Sequence, residues 1–170
     1  MSSQLRLREV GLDDEAAVRA AQDVMAADGF LFALHYQPDE PWSDYVARVH
    51  RYRQGKGLNG RLVPSTFLLA DVDGEIVGRT SIRHELNDFL RHEGGHIGYC
   101  VLPMHRRRGH ASEILRQSLG LAHAIGIRPV LITCDDDNVG SATIIERAGG
   151  ELEDVVDNES GSLTRRYWIP

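Results

Sequence analysis

The chain has 170 residues, 42% apolar and 26% charged, with 25 acidic against 19 basic side chains and a formal charge of -6. That length suits a single domain over residues 1–170 with a buried core, and the composition excludes a disordered, collagenous or repetitive chain. The acidic balance argues against a protein whose task is neutralising nucleic-acid phosphates, and no uncharged run nears the ~18 residues that span a bilayer.

Leu5 to Val10 alternates apolar and polar residues as a half-buried strand does. Leu12-Asp13-Asp14 then offers a cap for a helix with Ala17, Ala20, Ala21 and Val24 on its apolar face, closed by Gly29. A second helix is expected over about Ser43 to Gln54, with Tyr45, Val46, Val49 and Tyr52 inward. The segments TFLLADV and EIVGRTSIR read as antiparallel strands joined at Asp73-Gly74, a strong hairpin signal. Asn87 to Gly95 reads as irregular, HIGYCVLP as a strand stopping at Pro103, and Ala111 to Ile125 as a helix burying Ile114, Leu115, Leu119 and Ala122. PVLITC is an apolar strand, Ser141 to Ala148 a short helix closed by Gly149-Gly150, and two strands near Leu152 to Val156 and Leu163 to Ile169 finish the chain. The expected order is β-α-α-β-β-β-α-β-α-β-β. Cys100 and Cys134 fall in apolar runs without metal-ligand spacing and read as core thiols, and the N-terminus lacks the apolar segment of a signal peptide, so a cytoplasmic location is expected.

Three local patterns carry possible chemistry. Gly55-Lys56-Gly57-Leu58-Asn59-Gly60 has the letters of a dinucleotide loop, but a helix precedes it and a strand follows, the reverse of the required context, so it reads as a plain loop. His92-Glu93-Gly94-Gly95-His96 has the letters of a zinc peptidase helix, whose two imidazoles must share one helix face. Its two glycines each cost such a helix about 0.8 to 1 kcal/mol and no third ligand is evident, which leaves the metallopeptidase as a rival enzyme class and no metal as the expectation. In the third pattern letters and context agree: Arg106-Arg107-Arg108-Gly109-His110-Ala111 lies between a strand and a helix. Amides converging at a helix N-terminus, beside three guanidinium groups, form an anion nest, with Gly109 and Ala111 small enough for close approach. The acidic run Asp135-Asp136-Asp137 lacks a calcium-loop pattern and reads as capping the helix that follows.

The third pattern, Arg106-x-x-Gly109-x-Ala111 after Val101-Leu102-Pro103, resembles the acyl-CoA signature of the GNAT superfamily of N-acetyltransferases. Asn138-x-x-Ser141 followed by Gly149 resembles the superfamily's second motif, and the α/β element order resembles the GNAT mixed sheet over nearly the whole chain. The likeness is to small stand-alone bacterial members without an assigned substrate. It implies two splayed parallel central strands, with acetyl-CoA as co-substrate between them and no metal. The backbone of Tyr99, Cys100 and Val101 would hold the pantetheine arm, Arg106, Arg107, Arg108, Gly109, His110, Ala111 and Ser112 the pyrophosphate, and Asn138 and Ser141 the opposite wall. In such enzymes an amine attacks the thioester directly in a ternary complex, and a tyrosine seven residues after the asparagine often protonates the leaving thiolate. Ile145 stands there in this chain and can donate no proton. His96 occupies a place where some relatives carry a base, with His84 and Glu93 as further candidates.

The resemblance thus implies acetyl transfer to a primary amine of a small molecule or peptide, with a non-catalytic acyl-CoA sensor as the alternative. Neither nucleic acid nor membrane is an expected partner, and a homodimer is left open. Phe32, Tyr36, Trp42, Glu40 and Asp44 suggest a cationic or aromatic acceptor, although helix packing explains the aromatic rings equally well.

Overall fold

The computed structural model describes residues 4–170. The strands are β1 (Leu5–Glu9), β2 (Ser65–Val72), β3 (Glu75–Arg83), β4 (Ile97–Val101), β5 (Val130–Asp135), β6 (Glu151–Asp157) and β7 (Leu163–Ile169). The helices are α1 (Glu15–Ala26), α2 (Trp42–Arg53), α3 (His110–Ala124) and α4 (Val139–Arg147). The strands form one mixed sheet in the order β1-β2-β3-β4-β5-β7-β6, in which only β4 and β5 run parallel.

The local chemistry explains most of these elements. At the β2–β3 turn Asp73 and Gly74 both adopt left-handed backbone, φ 53° and 89°, as a two-residue turn between twisted strands requires. Helix α2 buries the expected Tyr45, Val46, Val49 and Tyr52. Helix α1 differs in phase from the sequence expectation: Val18, Ala21 and Met25 are inward, while Ala17, Ala20 and Val24 are exposed. Alanine positions carry little phase information, and burying one large side chain is worth about 1.5–3 kcal/mol, so Val18 and Met25 set the rotation. Asn87 to Gly95 is also more ordered than expected. The Asn87 Oδ1 accepts the Leu90 N–H at 2.9 Å and starts a π turn over Leu90–Gly94.

The two faces of the sheet pack separately. Phe67, Leu69, Ile76, Cys100 and Leu102 meet Val18, Met25, Tyr45 and Val49 of α1 and α2. On the opposite face Ile82, Ile97 and Ile132 meet Leu115 and Leu119 of α3 and Ile145 of α4. Between β4 and β5 the regular pairing is confined to Ile97 opposite Ile132, next to a bond from the His96 N–H to the Leu131 carbonyl at 2.7 Å. Strand β4 meanwhile stays paired with β3 as far as Val101 opposite Gly78. The two parallel strands therefore diverge from a root at His96 and Ile97, and the V between them is the concavity on which the site is built.

Candidate active site

One wall of the V is made of backbone. The Arg83 N–H donates to the His96 carbonyl and the Leu102 N–H to the Val77 carbonyl, and hydrogen-bonded pairs alternate along an antiparallel ladder. Gly98 and Cys100 therefore spend their main-chain groups on β3, whereas Tyr99 and Val101 turn theirs toward the V. Of the three residues expected to hold a pantetheine arm by backbone, the ladder thus frees Tyr99 and Val101. The thiol of Cys100 is buried on the α1/α2 face and its pKa is raised by that burial.

The Arg106–Ser112 segment continues this wall. Arg107 and Gly109 both take left-handed backbone, φ 64° and 82°, and a side chain at Gly109 would meet nothing within 4 Å. The first bond inside α3 runs from the Glu113 N–H to the Gly109 carbonyl at 3.2 Å, and no side chain caps the helix, so the N–H groups of His110, Ala111 and Ser112 point out unclaimed. Positive φ at the entry and bare amides at the helix start are the conditions for binding a phosphate-sized anion. Arg107 and Arg108 are exposed beside it, while Arg106 turns back, its Nε donating to the Val101 carbonyl at 3.2 Å and its Nη2 lying 3.6 Å from Asp28.

The facing wall starts at α4. Asn138 caps this helix, its Oδ1 accepting the Ser141 N–H at 3.0 Å. The expected cap from the aspartate run is thereby corrected: Asp136 instead accepts from the Arg165 Nε at 2.7 Å. The Ser141 hydroxyl lies 3.0 Å from the Tyr99 hydroxyl, bridging β4 and α4 across the V. Burial raises the Tyr99 pKa above the ordinary phenol value, so this hydroxyl keeps its proton at neutral pH. Ile145 is fully buried in the core.

The candidate bases fall in three different environments. His96 Nδ1 accepts the Leu131 N–H at 2.9 Å, which fixes the proton on Nε2 and occupies the one nitrogen able to take another. Burial, with Arg91 and Arg83 nearby, depresses its pKa to about 4. The ring is thus built to clamp the root of the V, and a proton on Nδ1 would break the clamp. His84 shares Nε2 with the Thr66 hydroxyl at 2.8 Å, and burial lowers its pKa. The Glu93 carboxylate accepts the Glu159 N–H at 3.2 Å, on the side of the β6–β7 hairpin. His92 Nε2 bonds the Asp157 carbonyl at 2.7 Å. The two imidazoles of the zinc-like pattern thus engage different strands, His92 from the π turn and His96 beyond it, and the shared helix face that the metallopeptidase reading requires does not form. No cluster of three or more potential metal-ligating side chains occurs among the described residues.

The α1/α2 face of the V carries a feature that the pattern search missed. Arg79, 3% exposed, donates from Nε to Phe32 O at 3.1 Å, from Nη2 to Leu31 O at 2.6 Å and from Nη1 to Gly98 O at 3.1 Å. Arg83 lies over the Gly98 backbone, and a Cβ at Gly98 would stand 2.9 Å from its Nη1. Its one hydrogen bond is long, from Nη1 to Gly94 O at 3.3 Å. The aromatic segment near these arginines is not free for recognition: Phe32 and Trp42 are core residues, and Glu40 is held in an ion pair by Arg48. That pairing removes the main support for a cationic acceptor, leaving Asp44 exposed on the outer side of α2. His35, at φ 64° in the connection between α1 and α2, has a pKa lowered by burial and by Arg48 and Arg83. Its ring packs edge-on against Tyr52, centroids 5.5 Å apart, and makes no hydrogen bond among the described residues.

Residues 4–151 match the family model described as the acetyltransferase (GNAT) domain, and the chain belongs to that family of acyltransferases. No curated protein matches the chain significantly. Among solved structures it is similar to Mycobacterium smegmatis RimJ in complex with CoA-disulfide, at 19% identity and a TM-score of 0.70, covering 97% of this chain and 81% of that one. It is also similar to an acetyltransferase of the GNAT family from Streptococcus pneumoniae, at 16% identity and 0.67, covering 98% and 100%. A third is yncA of Salmonella typhimurium with its cofactor acetyl-CoA, at 16% and 0.64, covering 97% and 92%. At these identities the neighbours establish the mixed-sheet fold, and the family match carries acetyl transfer as the general chemistry.

Proposed function

We propose that residues 1–170 act as a single N-acetyltransferase domain that moves an acetyl group from acetyl-CoA to a primary amine by direct attack in a ternary complex. The observation that supports this most is two sets of unclaimed N–H groups, at Tyr99 and Val101 along the V and at His110, Ala111 and Ser112 where α3 begins, a surface fitted to an extended acyl-CoA ending in a pyrophosphate. Bound there, acetyl-CoA supplies an activated acyl thioester. The Tyr99 and Val101 main chain orients the arm, the open backbone at Gly109 admits the pyrophosphate, and Arg107 and Arg108 neutralise part of its charge. The Tyr99 hydroxyl, kept protonated by burial and held by Ser141, is a proton source on the wall where Ile145 has none.

Because His96 has its accepting nitrogen engaged, we assign it a positioning role at the root of the V. We assign proton removal from the incoming ammonium to His35, whose ring packs edge-on against Tyr52, carries no side-chain hydrogen bond among the described residues, is neutral at pH 7 because burial lowers its pKa, and feels the Arg83 charge. No helix among the described residues is long and apolar enough to cross a membrane, and a cytoplasmic site of action without metal or nucleic acid is part of this proposal. Thiol release from acetyl-CoA, corrected for hydrolysis, across a panel of small amines and peptide N-termini tests the reading. Transfer to at least one amine is expected. Tight acetyl-CoA binding without transfer to any would leave a non-catalytic sensor.

A further inference from the structure

Arg79 and Arg83 sit on the same face of β3 with Ser81 between them, and both guanidinium groups converge on Gly98, which the ladder places opposite Ser81. Neither forms an ion pair among the described residues, whereas Arg8, Arg19, Arg48 and Arg53 each meet a carboxylate. Arg79 is satisfied by three carbonyls and ties the Leu31–Phe32 segment to β4. Arg83 has no such set of partners: within the protein its five N–H donors make one long bond, the others keep some contact with solvent, and burial together with the Arg79 charge depresses its pKa to about 10. The Tyr45 hydroxyl, buried near Arg79, also lacks a partner. Two poorly solvated cations side by side, with no anion to offset them, cost stability unless a ligand supplies the missing charge.

The place is informative as well. Gly98 follows immediately on Ile97, the last residue of β4 paired with β5, and precedes Tyr99, whose main chain faces the V. The three nearest atoms that a Cβ at Gly98 would meet, at 2.9, 3.3 and 3.5 Å, all belong to the Arg83 guanidinium, so the glycine is what lets that group lie at the fork. At ~3.3 Å per residue along a strand, the guanidinium lies within a few ångströms of where an amine would meet a thioester held by Tyr99 and Val101.

Resting on the acetyltransferase reading above, we propose that the acceptor is an amino carboxylate, whose carboxylate is held by the Arg83 guanidinium over Gly98 while its amine, a few bonds away, faces the V. Planar guanidinium donors match a carboxylate in bidentate geometry, and Arg79 holds the surrounding backbone in place. Free amino acids or close relatives are the substrate class, and long polyamines, which have no anionic group, are excluded from it.

The test compares standard L-amino acids with their own carboxamides as acceptors for the wild type and for Arg83→Gln and Arg83→Lys. At least one acid should exceed its carboxamide by about 100-fold or more in kcat/KM. Arg83→Gln should erase that preference through KM for the acid, any change in kcat falling equally on acid and carboxamide, and Arg83→Lys should restore part of it. Binding is read without turnover: in the presence of CoA, N-acetyl amino acids should raise the wild-type Tm more than N-acetyl carboxamides do, and not in Arg83→Gln. Equal protection by acid and carboxamide, or an Arg83→Gln variant that loses both acceptors equally, overturns the proposal. Protection by acids without transfer to any amine would overturn the acetyltransferase reading and leave the anion site standing.

Discussion

The two faces of β4 are built in different ways. Toward the V and α3, the surface we propose for acetyl-CoA is made from main-chain groups: Tyr99, Val101 and the first turn of α3 offer amides whose positions are fixed by ladder alternation and helix geometry. Toward α1 and α2, the site we propose for the acceptor is made from side chains, Arg79 and Arg83 above a glycine, with His35 in the α1–α2 connection. A backbone surface is indifferent to most substitutions and suits a ligand shared across a family, whereas a side-chain surface can be changed one residue at a time. On the proposed reading, the contrast separates what this chain shares with its family from what sets its own acceptor.

The largest effect is expected where the shared surface depends on missing atoms. A Cβ at Gly78 would stand 2.2 Å from the Cys100 carbonyl oxygen and 3.2 Å from the Val101 Cα. Gly78→Ala must therefore push β4 away from β3, at a cost of about 3 kcal/mol or more. A Tm lower by roughly 6–12 °C is expected in a thermal melt, with acetyl-CoA affinity reduced in parallel. A wild-type melt for this variant would show that the β3–β4 register is not the one described.

Next in size is the helix entry. Left-handed backbone costs a residue with a side chain about 1–2 kcal/mol, and Gly109 has open space around it, so Gly109→Ala should lose that much stability through strain alone. Gly109→Val adds branched bulk where the pyrophosphate is proposed to lie. It should weaken acetyl-CoA binding ten-fold or more by calorimetry, with Gly109→Ala as the control for strain.

His96 sharpens the comparison through pH. Its pKa falls from about 6.5 when unfolded to about 4 when folded, so the unfolded chain binds the extra proton more readily between those values. The contribution is intact above pH 6.5 and is lost as pH falls through the window toward 4, with a magnitude on the order of 1–3 kcal/mol. Denaturant titrations across that window should show stability falling more steeply in the wild type than in His96→Asn, whose amide oxygen can still accept from Leu131 but cannot take the proton. In the same variant kcat/KM should stay within about five-fold, while His35→Gln should lower it 10²- to 10⁴-fold and remove the limb that rises with pH below the ordinary imidazole value. The opposite result would return the base to His96.

The smallest effect belongs to the outer wall. Asn138→Ala removes one cap from α4 and should cost about 1 kcal/mol in a denaturant melt, with little change at the α1/α2 face.

The shared surface was legible in the sequence because it is local. Arg106 to Ser112 and Asn138 to Ser141 are short contiguous runs whose function follows from a strand before and a helix after. The second surface is assembled by the fold from β3, β4 and the α1–α2 connection, and no contiguous run contains it. A signal is nonetheless present: Arg79 and Arg83, four residues apart in EIVGRTSIR, fall at period two on one face of a strand that the sheet buries. Helix α1 was misphased because alanines leave the apolar stripe ambiguous. His96 looked like a base because sequence cannot show which ring nitrogen is free, and that is settled by the Leu131 amide on a strand 35 residues away.

The most direct test of the backbone-built surface is an amide-resolved NMR titration of the protein with acetyl-CoA. The N–H signals of Tyr99, Val101, His110, Ala111 and Ser112 should shift most, while those of Gly98 and Cys100, already bonded to β3, should move little. Shifts confined to Gly55–Gly60 or to the β6–β7 hairpin, or equal shifts along every residue of β4, would contradict the account.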